Sequence, residues 1–404
     1  MPNPTLSVSR EQEAYLNKPF KESVQQIDIP ALGLRNYWYP AIARWRLGRS
    51  PKAITLLGEK IVLFRDGGKV YALADRCSHR GAPLSMGKCL YRGSGTLSCP
   101  YHGWTFDGGT GKLVAKLMEG GESPLPARAA VKSYPIHEHA GFIWLFVGDM
   151  DPVPFPTDLP ECIADDSKWF SISNWRTYKC NWRLVMDNLA HDQHAPFLHR
   201  ESPELLFQPV FKHATRNSTE LLDDGTGIGH HATHGVHVTH YEGLGPFPPP
   251  QEAWYRKLKP SGRGKDMDST SAANAKFGLK FRHMNMLPSI ALIGRPSGNF
   301  FTCRLVTPID EETTILYNFN LFRRRGSIIA LLNSLKWVFW SSWAHDWLFS
   351  DQDKFVVERI RPGPELLSKT DVGLTAWRWF MSRNARRAEP DILSSEIVPQ
   401  VVER

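Results

Sequence analysis

Cysteine is scarce in this sequence, with 6 copies among 404 residues. Outside two short motifs, the remaining cysteines show no pairing pattern. Such sparse use argues against a disulfide-stapled secreted domain and indicates a reducing compartment. The opening segment "MPNPTLSVSREQEAYL" also lacks a basic region followed by an apolar run. A signal peptide is therefore not expected, and we predict a cytoplasmic protein.

The sequence also lacks a long apolar run that is free of charge. Its most apolar stretch, "SIIALLNSLKWVFWSSWAHDWLF" at residues 327–349, contains Lys336 and Asp346. Charges at the centre of a bilayer are costly, so we predict an amphipathic, heavily buried helix rather than a membrane span. Contact with a membrane is not expected, although the many aromatic residues leave binding to a membrane surface as the alternative.

Two further absences narrow the classes of function. The net charge is +8, but no basic arm is interleaved with aromatic residues, so nucleic acid is not an expected partner. No Gly-x-Gly-x-x-Gly fingerprint is present, so the chain has no recognisable dinucleotide site of its own. The mild basic excess would suit an acidic protein partner.

The order of predicted elements indicates an α+β fold in two parts. Strand-like runs punctuated by glycine extend from about residue 36 to residue 150, which predicts a small antiparallel β domain. The proline-rich stretch "DMDPVPFPTDLP" then indicates a boundary. Strands, a helical stretch near Val185, the strand pair in residues 301–322 and a helical region from about 326 to 360 follow. We therefore predict domains at residues 1–155 and 156–404, the second with a central antiparallel sheet and helices.

Two motifs near residue 80 and residue 100 each combine one cysteine with one histidine. They are "CSHRGAPLS", with Cys77 and His79, and "CPYHGW", with Cys99 and His102. Two sulfur and two nitrogen ligands can hold one zinc ion, or a [2Fe-2S] cluster with both cysteines on one iron and both histidines on the other. Zinc sites usually pair Cys with Cys and His with His, so one of each per loop favours the cluster. Chance proximity is the third interpretation.

This pattern, "RCSHRGAPLS" followed by "CPYHGWTFD", resembles the Rieske iron–sulfur domain. The resemblance implies an antiparallel β domain that holds one [2Fe-2S] cluster through Cys77, His79, Cys99 and His102. Cys89, in the loop between the two motifs, is interpreted as a small residue without a role.

A second group of candidate ligands lies in "NWRLVMDNLAHDQHAPFLHR", residues 181–200. On a helix, Asp187, His191 and His194 would share one face. Pro196 is expected to break that helix and let His199 approach the same point as His194. Two imidazoles and one carboxylate with open positions form the facial triad of non-heme Fe(II) oxygenases, whereas a hydrogen-bonded or surface histidine is the simpler interpretation of either residue.

The segment resembles the mononuclear-iron helix of the Rieske non-heme iron oxygenases, whose pattern is Asp-x-x-His-x4-His. His194 and His199 match the two iron ligands, but His191 stands where the family has aspartate, with Asp192 beside it. In the family that aspartate bridges the iron site to the cluster of the neighbouring subunit. His191, Asp192 and Asp187 are therefore all candidates for the bridge.

The third iron ligand that the resemblance implies is a carboxylate late in the chain. In "SDQDKFVVERI", residues 350–360, Asp353 lies five residues before Glu358, as in the family, and Asp351 is the competitor. Asn188 is a candidate for hydrogen bonding around the iron, with an ordinary helix-flanking role as the alternative.

The resemblance covers most of the chain, and "LGLRNYWYPA" and "VYALADRCSHRG" look like carbazole dioxygenase-type and phthalate-type terminal oxygenases. It implies one cluster and one Fe(II) per chain, a homotrimer, and electrons from a ferredoxin, a reductase or both. The resembling group includes aromatic-ring dioxygenases, angular dioxygenases and O- or N-demethylases, so the resemblance does not identify the substrate. The many large apolar residues predict an apolar, aromatic substrate, and we predict that O₂ is used to hydroxylate it by dioxygenation in aromatic hydrocarbon catabolism.

Other functions remain open at this point. They are a Rieske monooxygenase that removes O- or N-methyl groups, an electron carrier without mononuclear iron, a zinc-stabilised binding protein, and a membrane-associated oxygenase of the chlorophyll type. The substrate pocket is expected between residue 197 and residue 300 and at the late helix. Its apolar candidates are Phe197, Leu198, Phe207, Phe277, Phe281, Leu292 and Phe300, and the candidates for a substrate carboxylate are Arg216, Arg256 and Arg282.

Overall fold

The structure is a computed structural model. It describes residues 24–126, 128–190, 194–199, 202, 215–234, 240–241, 245–246, 283–294, 301–324, 326–368 and 371–387.

Short apolar runs separated by turns build the N-terminal region into three small antiparallel sheets. In the strand "EKIVLFRD", for example, the four central residues are buried, because the sheet is covered on both faces. The sheets have the orders β1-β9-β8, β2-β3-β4 and β5-β6-β7. Their strands are β1 Tyr37–Ala43, β2 Lys52–Leu56, β3 Glu59–Asp66, β4 Lys69–Ala74, β5 Thr96–Ser98, β6 Trp104–Asp107, β7 Leu113–Lys116, β8 Ile136–His139 and β9 Phe142–Val147.

A seven-stranded antiparallel sheet forms the centre of the C-terminal region, with the order β10-β18-β17-β16-β15-β12-β11. Strands β13 and β14 form a separate two-stranded sheet, and in the sequence they lie between β12 and β15. All eight residues of β17 are buried, so both faces of the sheet are covered at its middle. The strands are β10 Trp169–Tyr178, β11 Thr215–Leu221, β12 Gly227–His234, β13 His240–Tyr241, β14 Gly245–Pro246, β15 His283–Met286, β16 Ile290–Gly294, β17 Phe301–Pro308 and β18 Thr314–Arg323.

The helices lie almost entirely in the C-terminal region. They are α1 Glu161–Ala164, α2 Trp182–Leu189, α3 Ala195–Leu198, α4 Ser327–Lys336, α5 Asp351–Val357 and α6 Val372–Asn384. Between α4 and α5 the chain stays helical through two π-helical segments, Trp337–Ser341 and Trp343–Ser350. Asn181 starts α2 as an N-cap, since its side-chain oxygen accepts a hydrogen bond from the backbone N–H of Arg183 at 3.1 Å. The fold is therefore α+β, as the sequence predicts.

One apolar core joins the two regions. It runs from Leu63 of the second small sheet to Val306 of β17 and Trp377 of α6. Hydrogen bonds cross the same junction: the backbone N–H of Leu57 donates to the carbonyl of Pro308 at 3.0 Å. Phe155, at the predicted boundary, is itself buried. Phe155 and Leu159 belong to one apolar cluster that also contains Trp38 of β1 and Phe301 of β17, so the proline-rich stretch packs with residues of both regions.

Two local predictions differ from the structure. The helix near Val185 ends at Leu189, well before Pro196, which instead lies in the single turn of α3. Proline is tolerated there because the first N–H groups of a helix have no intrahelical acceptor. The helical stretch after residue 326 is not heavily buried: Trp337 and Ala344 pack inward, but Ile328 and Phe339 are more than three-quarters exposed in the single chain. No helix among the described residues is long and apolar enough to cross a membrane.

Candidate metal centres

The two cysteine–histidine motifs lie on neighbouring loops of the N-terminal region. Cys77 follows β4, and its N–H donates to the carbonyl of Ala82 at 2.8 Å, which closes the first loop. Cys99 follows β5, and its N–H donates to the carbonyl of Trp104 at 2.8 Å, which closes the second loop. Gly103, at φ +65°, turns the second loop in the left-handed region, where a side chain is strained.

The two loops bring like ligands together. Cys77 and Cys99 are both buried, and the Cys99 thiol is near enough to contribute to the raised pKa of the Cys77 thiol. The imidazole rings of His79 and His102 have centroids 4.8 Å apart. His79 is exposed, His102 is half-buried, and the ring of His79 stacks on Trp104 at 4.5 Å. The sulfur pair therefore lies inside the protein and the nitrogen pair lies at its surface.

This arrangement fits a [2Fe-2S] cluster better than a single zinc ion. A zinc site needs all four ligand atoms close around one point. Among the described residues, the group whose ligand atoms lie close enough to hold one ion is a different one, and it includes none of these four residues. Burial raises the pKa of the Cys77 thiol to about 11, although a backbone hydrogen bond from His79 lowers it, and the neighbouring Cys99 thiol raises it further. Bound iron would remove this cost, since coordinated thiols lose their protons.

His194, His199 and Asp353 form the second candidate centre. Their ligand atoms all lie within 4.8 Å of one another. Among the described residues, these three form the group of histidine, cysteine or acidic side chains that could hold one metal ion. Asp353 Oδ1 lies 3.2 Å from Nε2 of His194 and 3.0 Å from Nε2 of His199. The two histidines flank α3, and Asp353 comes from the first turn of α5.

The polar atoms at this point are arranged for a cation. Gln352 Oε1 lies 2.9 Å from Nδ1 of His199, and an amide oxygen only accepts, so Nδ1 carries the proton. Nε2 then presents its lone pair to Asp353 Oδ1. Both atoms are buried and, within the described part of the chain, have no hydrogen-bond partner. Two acceptors that face each other at 3.0 Å need a positive charge between them, which a metal ion would supply.

Asp353 lies in an enclosed site. Its side chain is buried, and burial opposes the charge of its carboxylate, so an ionised Asp353 needs positive charge beside it. His199 is fully buried, and Phe349 stacks on its ring at 3.7 Å. The donor set of two imidazoles and one carboxylate fits ferrous iron with positions left open for other ligands.

The other predicted residues are placed differently. Asp351, the competitor of Asp353, lies 3.5 Å from Arg176 and does not join the metal group. Glu358 accepts a hydrogen bond from the backbone N–H of Lys179 at 2.8 Å. Asn188 is half-buried near the end of α2.

Asp187 is buried and engaged by an arginine. It accepts hydrogen bonds from Nε of Arg378 at 3.1 Å and from Nη2 at 2.6 Å. His191 and Asp192, the two other candidates for the bridge, lie outside the described residues.

Only some of the residues predicted to line the substrate pocket are among the described residues. Phe197 is 61% exposed, Leu198 is half-buried, and Leu292 is part of the apolar core. The side chain of Arg216 is not described. The remaining candidates lie outside the described residues: Phe207, Phe277, Phe281, Phe300, Arg256 and Arg282.

Sequence reasoning missed two residues that contact the second centre. Gln352 orients the ring of His199. In the sequence, only the position of Gln352 next to Asp353 could have indicated this role. Arg304 is buried, with Nη1 at 3.7 Å from Asp353 Oδ2. Its signal was present in "FTCRLVTP", where one charged residue interrupts a strand of otherwise buried character.

The N-terminal region combines a buried cysteine pair with a histidine pair at the surface, and the C-terminal region holds a group of two histidines and one carboxylate. This combination is typical of a Rieske-type protein with a second metal centre. Residues 37–135 match the Rieske [2Fe-2S] domain family. Residues 178–387, more than half of the chain, match the vanillate O-demethylase oxygenase C-terminal domain family. The chain therefore belongs to the family of proteins that carry the vanillate O-demethylase oxygenase C-terminal domain, here joined to a Rieske [2Fe-2S] domain.

Individual relatives agree with this assignment. The terminal oxygenase component of carbazole 1,9a-dioxygenase from a Sphingomonas species is 40% identical over 172 residues, covering 42% of this chain and 44% of that protein. The oxygenase component of dicamba O-demethylase from Stenotrophomonas maltophilia is 36% identical over 174 residues, covering 42% and 49%. The chain thus matches about half of the length of these curated relatives.

A solved structure supports the fold over nearly the whole chain. The reduced complex between oxygenase and ferredoxin in carbazole 1,9a-dioxygenase superposes with a TM-score of 0.71 at 22% identity. The superposition covers 94% of this chain and 96% of that chain. The two chains therefore share the fold of both regions.

Proposed function

We propose that the protein is the terminal oxygenase of a multicomponent Rieske system. It uses O₂ and electrons from a ferredoxin, a reductase or both to hydroxylate, by dioxygenation, an apolar, aromatic substrate. The observation that carries the proposal is the presence, in one chain, of the two cysteine–histidine loops and of the group formed by His194, His199 and Asp353. An electron carrier needs the first group but has no use for the second.

The ligand assignments are part of the proposal. Cys77 and Cys99 would hold the inner iron of the cluster, while His79 and His102 would hold the outer iron. His194, His199 and Asp353 would hold one mononuclear Fe(II). When bound, the cluster supplies single electrons and the mononuclear iron supplies a site for O₂.

The residues themselves set the direction of electron entry and the protection of the site. Because His79 is exposed and the cysteines are buried, a donor or a neighbouring subunit reaches the histidine side of the cluster first. Phe349 covers one face of His199 and keeps water from it. Gln352 fixes the proton of His199 on Nδ1, so that Nε2 stays available as a ligand.

The partners and the assembly follow from the same reasoning. A ferredoxin is supported by the basic balance of +8 and by the oxygenase–ferredoxin complex among the structural neighbours. We propose a homotrimer in which each cluster serves the iron of the next subunit, and the exposed apolar side of α4 is suitable for contact between subunits. We also propose domains at residues 1–155 and 156–404 and a cytoplasmic location, which six free cysteines support.

The bridge between the centres remains a proposal about three residues. His191 or Asp192 is preferred over Asp187, because the carboxylate of Asp187 already pairs with Arg378. If His191 relays an electron or proton, His191→Ala should keep both centres filled and lose turnover. Full turnover by that variant would move the role to Asp192.

The first experiment is a determination of iron, zinc and acid-labile sulfide on anaerobically purified protein. We expect about three irons and about two sulfides per chain in the wild type, and about one iron fewer in His199→Ala. About two irons after Fe(II) addition to the wild type would favour the electron carrier. Zinc without sulfide would overturn the whole proposal.

A second candidate function is O- or N-demethylation by the same centres. It is favoured by the match of residues 178–387 to the vanillate O-demethylase oxygenase family and by the similarity to dicamba O-demethylase. Oxidation of a methyl group releases formaldehyde, whereas ring dioxygenation yields a diol. Assays with a ferredoxin, a reductase and panels of aromatic hydrocarbons and aryl methyl ethers would separate the two by product.

A further inference from the structure

Arg304 lies at an unusual place for an arginine. It is in the middle of β17, the third strand of the seven-stranded sheet, where it pairs with Ala291 of β16 and Asn318 of β18. It is 3% exposed, and its strand neighbours Cys303 and Leu305 belong to the apolar core. A buried guanidinium is strongly destabilising unless an opposite charge and hydrogen bonds compensate it.

The compensation comes from the helix that carries Asp353. Nη2 of Arg304 donates to Oγ of Ser350 at 2.9 Å, and Nη1 lies 3.7 Å from Oδ2 of Asp353. The other carboxylate oxygen, Oδ1, faces His194 and His199 at 3.2 and 3.0 Å. The two oxygens of Asp353 therefore face different partners: one faces the histidines and the other faces a fixed positive charge.

We propose that Arg304 is a positioning residue that reserves Oδ2 of Asp353, so that this carboxylate offers a single oxygen to the metal. The inference rests on the proposed function, since it concerns the mononuclear site. A carboxylate that binds through one oxygen leaves a coordination position open that a carboxylate bound through both oxygens would fill. Arg304 thus protects the open position that O₂ and substrate chemistry require.

The charge of Arg304 gives the inference a definite sign. In the metal-free protein the guanidinium stabilises the Asp353 carboxylate, and in the loaded protein it repels the dication. Its removal should therefore destabilise the metal-free protein and tighten metal binding. A residue that merely supported the local fold would have the opposite effect on affinity, because its loss would loosen the ligands.

The test compares Arg304→Met, Arg304→Lys and the control Arg176→Met. Arg176 pairs with Asp351 on the same helix at 3.5 Å but does not face the metal group. Fe(II) affinity is measured by competition with a chelator. Coordination is read from near-infrared magnetic circular dichroism of the ferrous site, with the cluster oxidised and therefore diamagnetic.

We expect Arg304→Met to bind Fe(II) on the order of tenfold more tightly and to show the ligand-field bands of a site with one more ligand. Arg304→Lys keeps the charge and should stay within about threefold of the wild type. The control should match the wild type in affinity and spectrum. Weaker binding by Arg304→Met, or an unchanged affinity and spectrum, would overturn the inference.

Two further results keep the test decisive. If Arg304→Met does not fold, Ser350→Ala is tested in its place, because it removes an acceptor of the guanidinium without removing charge. Ser350→Ala should shift the ferrous bands in the same direction as expected for Arg304→Met, by a smaller amount. Unchanged bands in Ser350→Ala would count against the inference. Absence of ferrous bands from the wild type would overturn the proposed function and the inference together. Bands that are present in the wild type and identical in the variants would overturn the inference alone.

Discussion

Replacing Arg378 by methionine should destabilise the catalytic region strongly. Arg378 is on α6, has a side chain that is 0% exposed, and pairs with Asp187 of α2 at 2.6 Å and with Glu365 at 2.5 Å. Burial disfavours its charge, but hydrogen bonds to Glu365 and Asp187 hold the pKa of Arg378 above its ordinary value. The arginine therefore joins the helix that leads to the candidate metal centre to the last described helix of the chain.

The magnitude follows from what the substitution leaves behind. Asp187, with a side chain 11% exposed, would keep a hydrogen bond from Gln26 at 2.6 Å but lose both contacts with the guanidinium. Removal of one partner from a buried ion pair costs about 3–5 kcal/mol, because the remaining charge stays buried. For a region of this size, that cost lowers the melting temperature by about 10 °C.

The assay is thermal unfolding of the cofactor-loaded protein, with Arg383→Met as the control. Arg383 is on the same helix, is exposed, and lies over the ring of Trp379 at 5.4 Å. Its loss should cost less than about 1 kcal/mol. Equal melting temperatures for Arg378→Met and Arg383→Met would refute the reasoning.

The same network predicts how stability depends on pH. The hydrogen bond from Arg378 lowers the pKa of Glu365 below its ordinary value of 4.5, and partial burial opposes the shift. A carboxylate with a lowered pKa in the folded state adds stability above its unfolded pKa, and that stability is lost as pH falls through the folded value. The wild type should therefore lose this contribution below about pH 4.5, whereas Arg378→Met should not show it.

Two further predictions concern the ligands. Gln352→Met removes the acceptor of His199 Nδ1 and should weaken Fe(II) binding by about 10–100-fold in chelator competition, while an unchanged affinity would contradict the role of Gln352. Gly103→Ala adds a Cβ to a residue at φ +65°, and this Cβ lies 2.9 Å from Cβ of Leu117. The substitution should destabilise the cluster loop by about 1–3 kcal/mol and lower the sulfide content of the protein. The control Gly109→Ala, whose added Cβ lies 3.5 Å from its nearest atom, should leave the sulfide content unchanged.

The strands and the cluster loops could be predicted because their signals are local. The strand pair expected in residues 301–322 is present as β17 and β18, since alternating apolar residues and the turn between them determine the hairpin. Each cluster loop contains its cysteine and histidine within a few residues of each other. Short-range patterns of this kind do not depend on how the rest of the chain packs.

The second centre depends on contacts that no local pattern contains. His199 and Gln352 are 153 residues apart in sequence, and only the tertiary fold brings α5 beside α3. Resemblance to a family pattern, in which the aspartate lies five residues before a glutamate, identified Asp353 as the candidate and left Asp351 as its competitor. The end of α2 at Leu189 was also missed, because the sequence around Pro196 suits both the end of one helix and the first turn of another.

The structure offers a physical way to tell a structural aspartate from a ligand aspartate. Among the residues that the structure describes, three buried aspartates face arginines: Asp187 faces Arg378, Asp158 faces Arg386 and Asp353 faces Arg304.

In the first two pairs the guanidinium donates to both carboxylate oxygens, at 3.1 and 2.6 Å in Asp187 and at 2.5 and 3.0 Å in Asp158. Those carboxylates have their strongest directions filled by protein. Asp353 differs, because its arginine stands 3.7 Å from Oδ2 and Oδ1 is left to the two histidines. In this structure the two bidentate arginines therefore hold carboxylates that connect elements of the fold, whereas the one-sided contact of Arg304 leaves Oδ1 of Asp353 available for the metal ion that we propose.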